Sequence, residues 1–409
     1  MKDYARTAKK ITFILFLVQS LSSAGFIAVF TVNALVGAEL SGRPALAGFP
    51  ETVRVLGQAF AALAWGYTME RIGRRRGFTM GQAVGVVGSA MAGGAVIARS
   101  FPVFLFGLLL MGIARASADL GRFAAAEVHL PAERGRAISN VVLGGTVGSV
   151  VGPLLAGVMG KWSVGSGFPE LAGAYGVGFL VWGIAGILVF TGLRPDPRDL
   201  GRELARLHPH TVPHQGRTRA LAEILRQPGV IVAIVTVVFA QMVMVTLMVM
   251  TSVHMKGHAH PLTAISLVIS VHALGMYAFS IVSGRMTDRW GRGPVIICGS
   301  GILILSCVLA APSNNLLPLL IALFLLGLGW NFAYVAGSTL LADQLSPTER
   351  AKTQGFNDLM LGFAAATASL GSGLVFAAGS FAILGLVAAT AALVPLGLGV
   401  WWQVRARRN

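Results

Sequence analysis

Charged residues are scarce in this 409-residue chain, and their scarcity excludes the commonest protein classes. Asp, Glu, Lys and Arg make up 12% of the sequence, whereas 55% is hydrophobic. Soluble globular domains are roughly 25% charged, and disordered chains require low hydrophobicity. Spanning helices need roughly 20 apolar residues each, so twelve of them with short connections would use the whole length. The composition therefore predicts an all-α integral membrane protein in a lipid bilayer.

Cysteine is nearly absent, and its spacing excludes a disulfide framework. Cys298 and Cys307 lie nine residues apart on one apolar segment, which places them on opposite faces of a helix. No Gly-x-x-x-x-Gly-Lys-Ser/Thr sequence occurs, so a nucleotide-driven pump is not indicated. No residue pattern points to an enzyme or to a permanently bound cofactor. The basic residues lie between hydrophobic runs and form no single face, so nucleic acid is not an expected partner.

Twelve long apolar segments dominate the sequence. The polar stretch 193–228 divides them into two six-helix halves, residues 1–192 and 229–409, and acts as a linker. On one side of the membrane lie 26 Lys and Arg residues, against four on the other, so the positive-inside rule predicts that both termini are cytoplasmic. The predicted spans are 11–38, 46–69, 77–98, 101–126, 136–160, 168–192, 229–255, 262–286, 293–311, 314–342, 351–377 and 380–403.

Two loop motifs occur in both halves. Gly-x-x-x-Glu/Asp-Arg-x-Gly-Arg follows the second and eighth spans, 218 residues apart, and Glu/Asp-x-x-x-Pro-x-Glu-Arg follows the fourth and tenth, 216 residues apart. Two different patterns at nearly one offset indicate an internal repeat, as in secondary transporters with a central site between two six-helix halves. The residues of the first motif are Gly66, Glu70, Arg71, Gly73 and Arg74 in one half and Gly284, Asp288, Arg289, Gly291 and Arg292 in the other.

The first motif resembles the hallmark loop of the major facilitator superfamily, with Glu70 at a position where Asp is usual. The resemblance implies a twelve-helix fold of two pseudo-symmetric halves that transports its cargo by alternating access. It also implies a multi-pass protein of the bacterial cytoplasmic membrane. We expect ion pairs in these two loops to act as a gate on the cytoplasmic side.

The seventh and eighth spans carry candidate ligands for a soft metal. Met244 and Met248 lie four residues apart on one helix, and His272 and Met276 have the same spacing on the next. Thioether sulfur and imidazole suit Cu(I). Met244 and His272 each lie about 15 Å from the predicted helix ends, near the membrane midplane. The structural alternative is that the methionines only fill gaps between helices.

The Met-x-x-x-Met and His-x-x-x-Met pair resembles the signature of the CcoA-like copper importers, which supply copper for assembly of cbb3-type cytochrome oxidase. This resemblance implies that the four residues bind copper, that copper is the transported substrate, and that a cytoplasmic copper acceptor is a candidate partner. The same branch includes riboflavin transporters, so an organic cargo stays open. A candidate outer capture site, with a solvated loop as its alternative, comprises His254, Met255, His258 and His260.

Other polar residues within the predicted spans offer two kinds of site. Acidic and basic groups inside a span are candidates for proton coupling or for structural ion pairs, and we favour an ion pair for Arg115 with Asp119. These groups are Glu51, Arg54, Arg115, Asp119 and Asp358.

A pocket for a flat organic solute is the alternative to the metal site, with riboflavin as the first cargo and drugs as the second. Its candidate lining residues are Gln58, Trp330, Asn331 and Tyr334. The segment from Gly148 to Gly157 partly resembles the glycine-proline motif of drug and proton antiporters, and close helix packing is the alternative explanation.

Overall fold

Residues 2–130, 133–207 and 219–408 are described by a computed structural model, and within these ranges the chain is helical with no strand. The elements are α1 (Lys2–Ser41), a 3₁₀ turn (Pro44–Leu46), α2 (Phe49–Ile72), α3 (Arg74–Ile97), α4 (Phe101–Asp119), α5 (Gly121–Glu127), α6 (Arg134–Gly165), α7 (Ala172–Gly192), α8 (Pro197–Leu207), α9 (Leu221–Leu225), α10 (Pro228–Gly257), α11 (Leu262–Tyr277), α12 (Ser280–Trp290), α13 (Arg292–Ala310), α14 (Leu316–Asp343), α15 (Pro347–Ala378) and α16 (Phe381–Arg408).

The predicted all-α membrane fold is confirmed. Eleven segments of the described chain are long and apolar enough to cross a membrane. The second predicted span corresponds to α2, which has 24 residues and carries charged side chains at both ends. Two predicted spans are each divided in the structure: the fourth into α4 and α5, and the eighth into α11 and α12. The placement of both termini in the cytoplasm stays a prediction.

The chain forms two compact units. Unit 1 contains Met1–Ser41 and Val53–Pro213, and unit 2 contains Gly42–Thr52 and His214–Asn409. The predicted linker 193–228 is therefore shared between them: α8 packs on α3 and α5 in unit 1, and α9 packs on α10 in unit 2. The linker histidines at positions 208, 210 and 214 lie outside the described residues.

Close packing of small residues holds unit 1 together. In this unit α1 packs along α6 and α7, and α3 packs on α4 and α7. A Cβ atom on Gly148 would lie 2.0 Å from the Ser20 carbonyl oxygen, and one on Gly152 would lie 2.4 Å from that of Ala24. Only glycine permits this approach of α6 to α1. Helix packing thus accounts for Gly148 and Gly152.

Helix α14 occupies the centre of unit 2, where it contacts α10, α11, α12 and α13. A Cβ on Gly327 would lie 2.3 Å from the carbonyl oxygen of His272, so α11 and α14 run with their backbones nearly touching. The segment 42–52 joins this unit by hydrogen bonds: the Thr52 hydroxyl donates to the Ala366 carbonyl (3.1 Å), and the Ser369 hydroxyl donates to that of Gly48 (2.8 Å).

Candidate functional site

An aromatic cluster lies between α10, α11 and α14 of unit 2. The rings of Trp330 and Tyr334, one helical turn apart on α14, stack with centroids 4.6 Å apart and an interplanar angle of 18°. Tyr277, at the end of α11, meets Trp330 edge to face at 6.4 Å. Gln241 of α10 fixes the indole, because its side-chain oxygen accepts the Trp330 Nε1–H bond at 2.9 Å. We name these four residues the aromatic cluster.

Asn331 lies beside the cluster, at the interruption between α11 and α12. Its Nδ2 group donates to the Met276 carbonyl oxygen (2.6 Å) and to the Ser280 hydroxyl (2.9 Å), which bracket the interruption. The amide oxygen of Asn331 is buried and has no hydrogen-bond partner. Buried polar atoms are rarely left unpaired, and interrupted helices often mark substrate sites in transporters. Asn331 thus offers an acceptor for a polar solute group.

The four predicted copper ligands are all buried in unit 2. Met244, Met248 and Met276 are 8%, 3% and 9% exposed, and His272 is 2% exposed. The imidazole of His272 turns toward α14, where its Nδ1–H donates to the Leu323 carbonyl oxygen at 2.9 Å. Its Nε2 is buried without a partner. The second nitrogen therefore keeps a lone pair, and the backbone bond is the kind that orients metal-binding histidines.

The predicted outer capture site consists of histidines that bond to backbone carbonyls. The ring N–H groups of His254, His258 and His260 donate to the carbonyls of Ser313, His254 and Asn314, at 2.9, 2.9 and 2.8 Å. His258 thereby satisfies one of the last carbonyls of α10, whereas His254 and His260 bond to the connection between α13 and α14. Across the described ranges, no group of three or more His, Cys, Asp or Glu is placed to hold a metal ion. Met255, the fourth predicted member, is fully buried.

A charged network occupies the interior of unit 1. Arg54 of α2 donates to the Gln58 side-chain oxygen (2.9 Å), and the Gln58 amide donates to Asp119 (2.9 Å). Arg115, whose ion pair with Asp119 the sequence favours, has its Nε 3.1 Å from Oδ1 of Asp119. Arg115 also donates to the Ser23 hydroxyl at 2.9 Å. Asp119 ends α4, so this network also lies at a helix interruption.

Both arginines of this charged network lie against one ring. The guanidinium carbons of Arg54 and Arg115 are 4.3 and 5.0 Å from the centroid of Phe26. Cation–π contacts hold the planar guanidinium groups in fixed orientations. The arrangement presents oriented donors beside an aromatic face, which suits a solute that has both carbonyl groups and a ring.

Glu51 and Asp358 are the remaining predicted site residues. Glu51 is 5% exposed and belongs to unit 2, whereas Arg54 belongs to unit 1. Asp358 lies on the exposed side of α15, where it accepts a hydrogen bond from Gln354 at 2.8 Å.

Sequence reasoning missed Ser23, Phe26, Gln241 and Tyr277, which complete the charged network and the aromatic cluster. A polar or aromatic residue within an apolar helix was their only signal. Many such residues bond only to their own helix, as Thr251 does.

Comparison with known proteins settles the family. Residues 15–260 and again residues 232–409 match the sequence model of the Major Facilitator Superfamily. The chain belongs to the major facilitator superfamily. Its members are transporters and not enzymes, and this facilitator is a multi-pass protein of the bacterial inner membrane.

Two full-length relatives and one solved structure extend this result. The facilitator is 35% identical to the "Uncharacterized MFS-type transporter YdeG" of Bacillus subtilis (strain 168), over 97% of this chain and 93% of the relative. It is 30% identical to the "Riboflavin transporter RfnT" of Brucella anthropi, over 95% of each chain. A D-xylose-proton symporter shares the fold with a TM-score of 0.73 and 15% sequence identity, covering 94% of this chain and 96% of that one.

The two hallmark loops of the facilitator form the same ion pair in each unit. In unit 1 the Arg74 guanidinium binds Glu127, with its Nε 3.0 Å from Oε2. In unit 2 Arg292 binds Asp343, with its Nε 2.7 Å from Oδ2. Arg74 and Arg292 end the first repeated motif, and Glu127 and Asp343 begin the second repeated motif. The same two motif positions therefore pair in both units. Whether these pairs gate transport stays a prediction.

Proposed function

We propose that this protein is a secondary transporter of a flat heteroaromatic solute, with riboflavin as the first substrate to test. The observation that carries the proposal is the aromatic cluster, in which the rings of Tyr334 and Tyr277 both contact the indole of Trp330. Aromatic rings hold flat heterocycles by stacking, at roughly 1–3 kcal/mol per ring system. The relative named as a riboflavin transporter aligns over nearly the whole chain and supports the same cargo.

A polar group beside the cluster suits the edge of such a solute. Asn331 supplies a side-chain carbonyl oxygen that is buried without a hydrogen-bond partner. A flavin carries an imide N–H that donates a hydrogen bond, and the Asn331 oxygen is its counterpart. Alternating access is the expected transport mode of the family.

Uptake of radiolabelled riboflavin into cells expressing the protein tests this proposal. We expect uptake above an empty-vector control, and we expect Trp330→Leu or Tyr334→Leu to reduce it about tenfold, since losing a stacking contact costs roughly 1–3 kcal/mol. Trp401→Leu is the matched control, because Trp401 is 45% exposed on α16 and should leave uptake unchanged. Uptake that is unaffected by both cluster variants would contradict the proposal.

Copper import is a second candidate, favoured by the buried, unpaired Nε2 of His272. Neutral sulfur and imidazole ligands suit Cu(I). Radioactive copper uptake into cells, with unlabelled riboflavin as competitor, separates the two candidates. The copper candidate predicts that Met244→Leu with His272→Ala abolishes uptake while riboflavin does not compete. Met111→Leu, a buried methionine of unit 1, is the control. No copper uptake above empty vector would leave Met244 and Met248 as packing residues.

A further inference from the structure

A membrane-facing groove in unit 1 shares no residue with either candidate site. It encloses about 240 Å³ and is bounded by α3, α6 and α7, each of which is long and apolar enough to span a membrane. Small residues form much of its lining, so the helix backbones are close to its surface. These residues are Ala90, Gly93, Gly94, Gly173 and Gly176.

The lining favours a hydrocarbon occupant over a hydrogen-bonding solute. The Ser89 hydroxyl donates to the Tyr175 carbonyl oxygen (2.9 Å), and the Ser163 hydroxyl donates to that of Pro169 (2.8 Å). The Tyr175 hydroxyl donates to Asn33 at 3.1 Å. These three hydroxyl groups already use their protons within the protein. Apolar cavities of this kind bind apolar ligands in preference to water.

The rim of the groove is apolar and exposed. Ile97, Trp162, Phe168 and Phe179 line the groove, and they are 50%, 63%, 49% and 45% exposed. Exposed apolar side chains on spanning helices face lipid. Tryptophan is also enriched at the level of the lipid headgroups, so Trp162 marks the end of the groove nearest the membrane surface.

Two basic residues lie next to groove-lining residues at this end. Arg99 follows Ile97 by two residues at the carboxyl end of α3, and Lys161 immediately precedes Trp162; both are exposed. The positive-inside assignment leaves only four basic residues on this face of the membrane, and two of them flank the groove. Basic residues beside an apolar groove complement a lipid with a chain and a phosphate.

We propose that this groove binds one acyl chain of an anionic phospholipid, with the phosphate held near Arg99 and Lys161. The site lies in the leaflet at the carboxyl end of α3. This inference is independent of the transported cargo, because it involves neither the aromatic cluster nor the charged network.

Native mass spectrometry of the delipidated full-length protein, titrated with phosphatidylglycerol or phosphatidylethanolamine, tests the chain-binding step. Gly176→Leu places a side chain in the groove, with its Cβ in ordinary contact with Met159 Cε at 3.7 Å. We expect this variant to weaken phosphatidylglycerol binding about tenfold, because each excluded methylene is worth roughly 0.8 kcal/mol. Gly94→Leu, whose Cβ meets nothing within 4 Å, should do the same. Leucine is a better helix former than glycine, so both variants should fold.

Gly183→Leu is the matched control. It lies on the same face of α7, about two turns further along, and its Cβ meets only Val86 Cγ2 at 4.0 Å. It should bind phosphatidylglycerol as the wild type does. Equal binding by the wild type and by both groove variants would overturn the proposal, and so would an equal loss in Gly183→Leu.

A separate set of variants tests whether the groove selects the anionic headgroup. We expect the wild type to prefer phosphatidylglycerol about thirtyfold over phosphatidylethanolamine, because each of the two basic residues contributes about 1 kcal/mol. Arg99→Gln with Lys161→Gln should abolish that preference, whereas Lys256→Gln, which removes a basic residue of unit 2, should keep it. A wild type that binds both lipids equally would overturn the anionic part of the proposal.

Discussion

The loop before α3 and the loop before α13 carry the same motif but have different neighbours. Each contains a glycine with a positive φ, 96° at Gly73 and 87° at Gly291. Each is followed by an arginine that pairs with an acid, Glu127 in unit 1 and Asp343 in unit 2. The repeat in the sequence therefore produces the same turn and the same ion pair twice.

The two loops differ in the side chains that contact each turn. In unit 1 the Asp196 carboxylate accepts hydrogen bonds from the backbone N–H groups of Arg74 (3.1 Å) and Arg75 (2.9 Å). It therefore caps the first turn of α3. The Arg198 guanidinium donates to the carbonyl oxygens of Glu70 and Arg71, at the end of α2. At Gly291 a Cβ atom would meet nothing within 4 Å. The segment that follows α7 thus holds the first loop in place.

A similar contrast applies to the second repeated motif. Glu349 in unit 2 is 1% exposed in its side chain and binds Arg219 through two guanidinium contacts of 2.7 Å. It also accepts the Ser346 backbone N–H at 3.0 Å and closes a capping box at the start of α15. Glu133, at the equivalent position of unit 1, is exposed. The same repeat position is thus a buried, ion-paired residue in unit 2 (Glu349) and an exposed residue in unit 1 (Glu133).

We expect the largest effect on stability from substitutions that break the ion pair of Glu349 with Arg219. The Arg219 guanidinium, and then the Ser346 backbone N–H, hold the pKa of the Glu349 carboxyl well below its usual range. A depressed pKa contributes stability above the unfolded value of about 4, and that stability is lost as the pH falls through the folded value. We expect Arg219→Gln to destabilise unit 2 strongly, because it leaves a buried carboxylate unpaired.

Thermal unfolding in detergent between pH 3 and pH 7 measures this contribution. Glu349→Gln should lower the midpoint near neutral pH and flatten its fall in acid. Glu133→Gln is the control and should change neither the midpoint nor its pH dependence. If the two glutamine variants behave alike, the contrast between the repeat positions is wrong.

We expect substitution of the two turn glycines, Gly73 and Gly291, to have the next largest effect on the free energy of unfolding. Both have ψ values near 160° with a positive φ, a region that costs other residues about 1–3 kcal/mol. We expect Gly291→Ala to cost about 2 kcal/mol from strain alone. Gly73→Ala should cost about 3 kcal/mol, because its Cβ would also lie 2.6 Å from Asp196 Oδ2.

Pairing Gly73→Ala with Asp196→Ala isolates the contact. In the Asp196→Ala protein, the loss of stability caused by Gly73→Ala should equal the loss that Gly291→Ala causes in the wild type. Unfolding midpoints measure both losses. Equal penalties at both glycines in the wild-type background would show that Asp196 does not restrict the turn.

Removal of the Asp196 cap has a smaller expected effect. Asp196→Ala leaves the N–H groups of Arg74 and Arg75 without their acceptor, which should cost about 1–2 kcal/mol, as for other helix caps. Asp199→Ala is the matched control, because Asp199 is 59% exposed and pairs only at the surface with Arg198. A midpoint that drops equally in both variants would attribute the effect to local charge and not to the cap.

The sequence predicted the elements that depend on hydrophobicity and repetition. The span pattern follows from apolar run length, which is a local property of the chain. The partners of Arg74 and Arg292 were not predictable in this way, because Glu127 and Asp343 lie 53 and 51 residues away. The Arg115–Asp119 pair was predictable, since one helical turn joins its members. The capping role of Asp196 was not, because it depends on how the segment after α7 folds back over 120 residues of sequence.

The candidate site shows the same limit. Trp330 and Tyr334 lie one turn apart on α14, so their stacking follows from sequence. Their contacts with Gln241 and Tyr277 require α10 and α11 to approach α14 at a particular depth. Similarly, helical spacing places His272 and Met276 on one face, but only the packed structure shows that the His272 imidazole bonds to α14. Tertiary packing determines which of several polar residues in apolar helices become neighbours.

The two loop ion pairs provide the finest comparison and the smallest expected effect. Side-chain exposure is 18% for Arg74 and 31% for Glu127, against 27% for Arg292 and 42% for Asp343. Water screens the second pair more, so double-mutant cycles should give a coupling of about 1 kcal/mol in unit 1 and about 0.3 kcal/mol in unit 2. Each cycle uses Arg→Gln with Glu→Gln or Asp→Asn, and SDS titration in mixed micelles gives the free energy of unfolding. Raising the salt concentration should reduce both couplings. A larger coupling in unit 2 would mean that side-chain exposure does not set the strength of these two ion pairs.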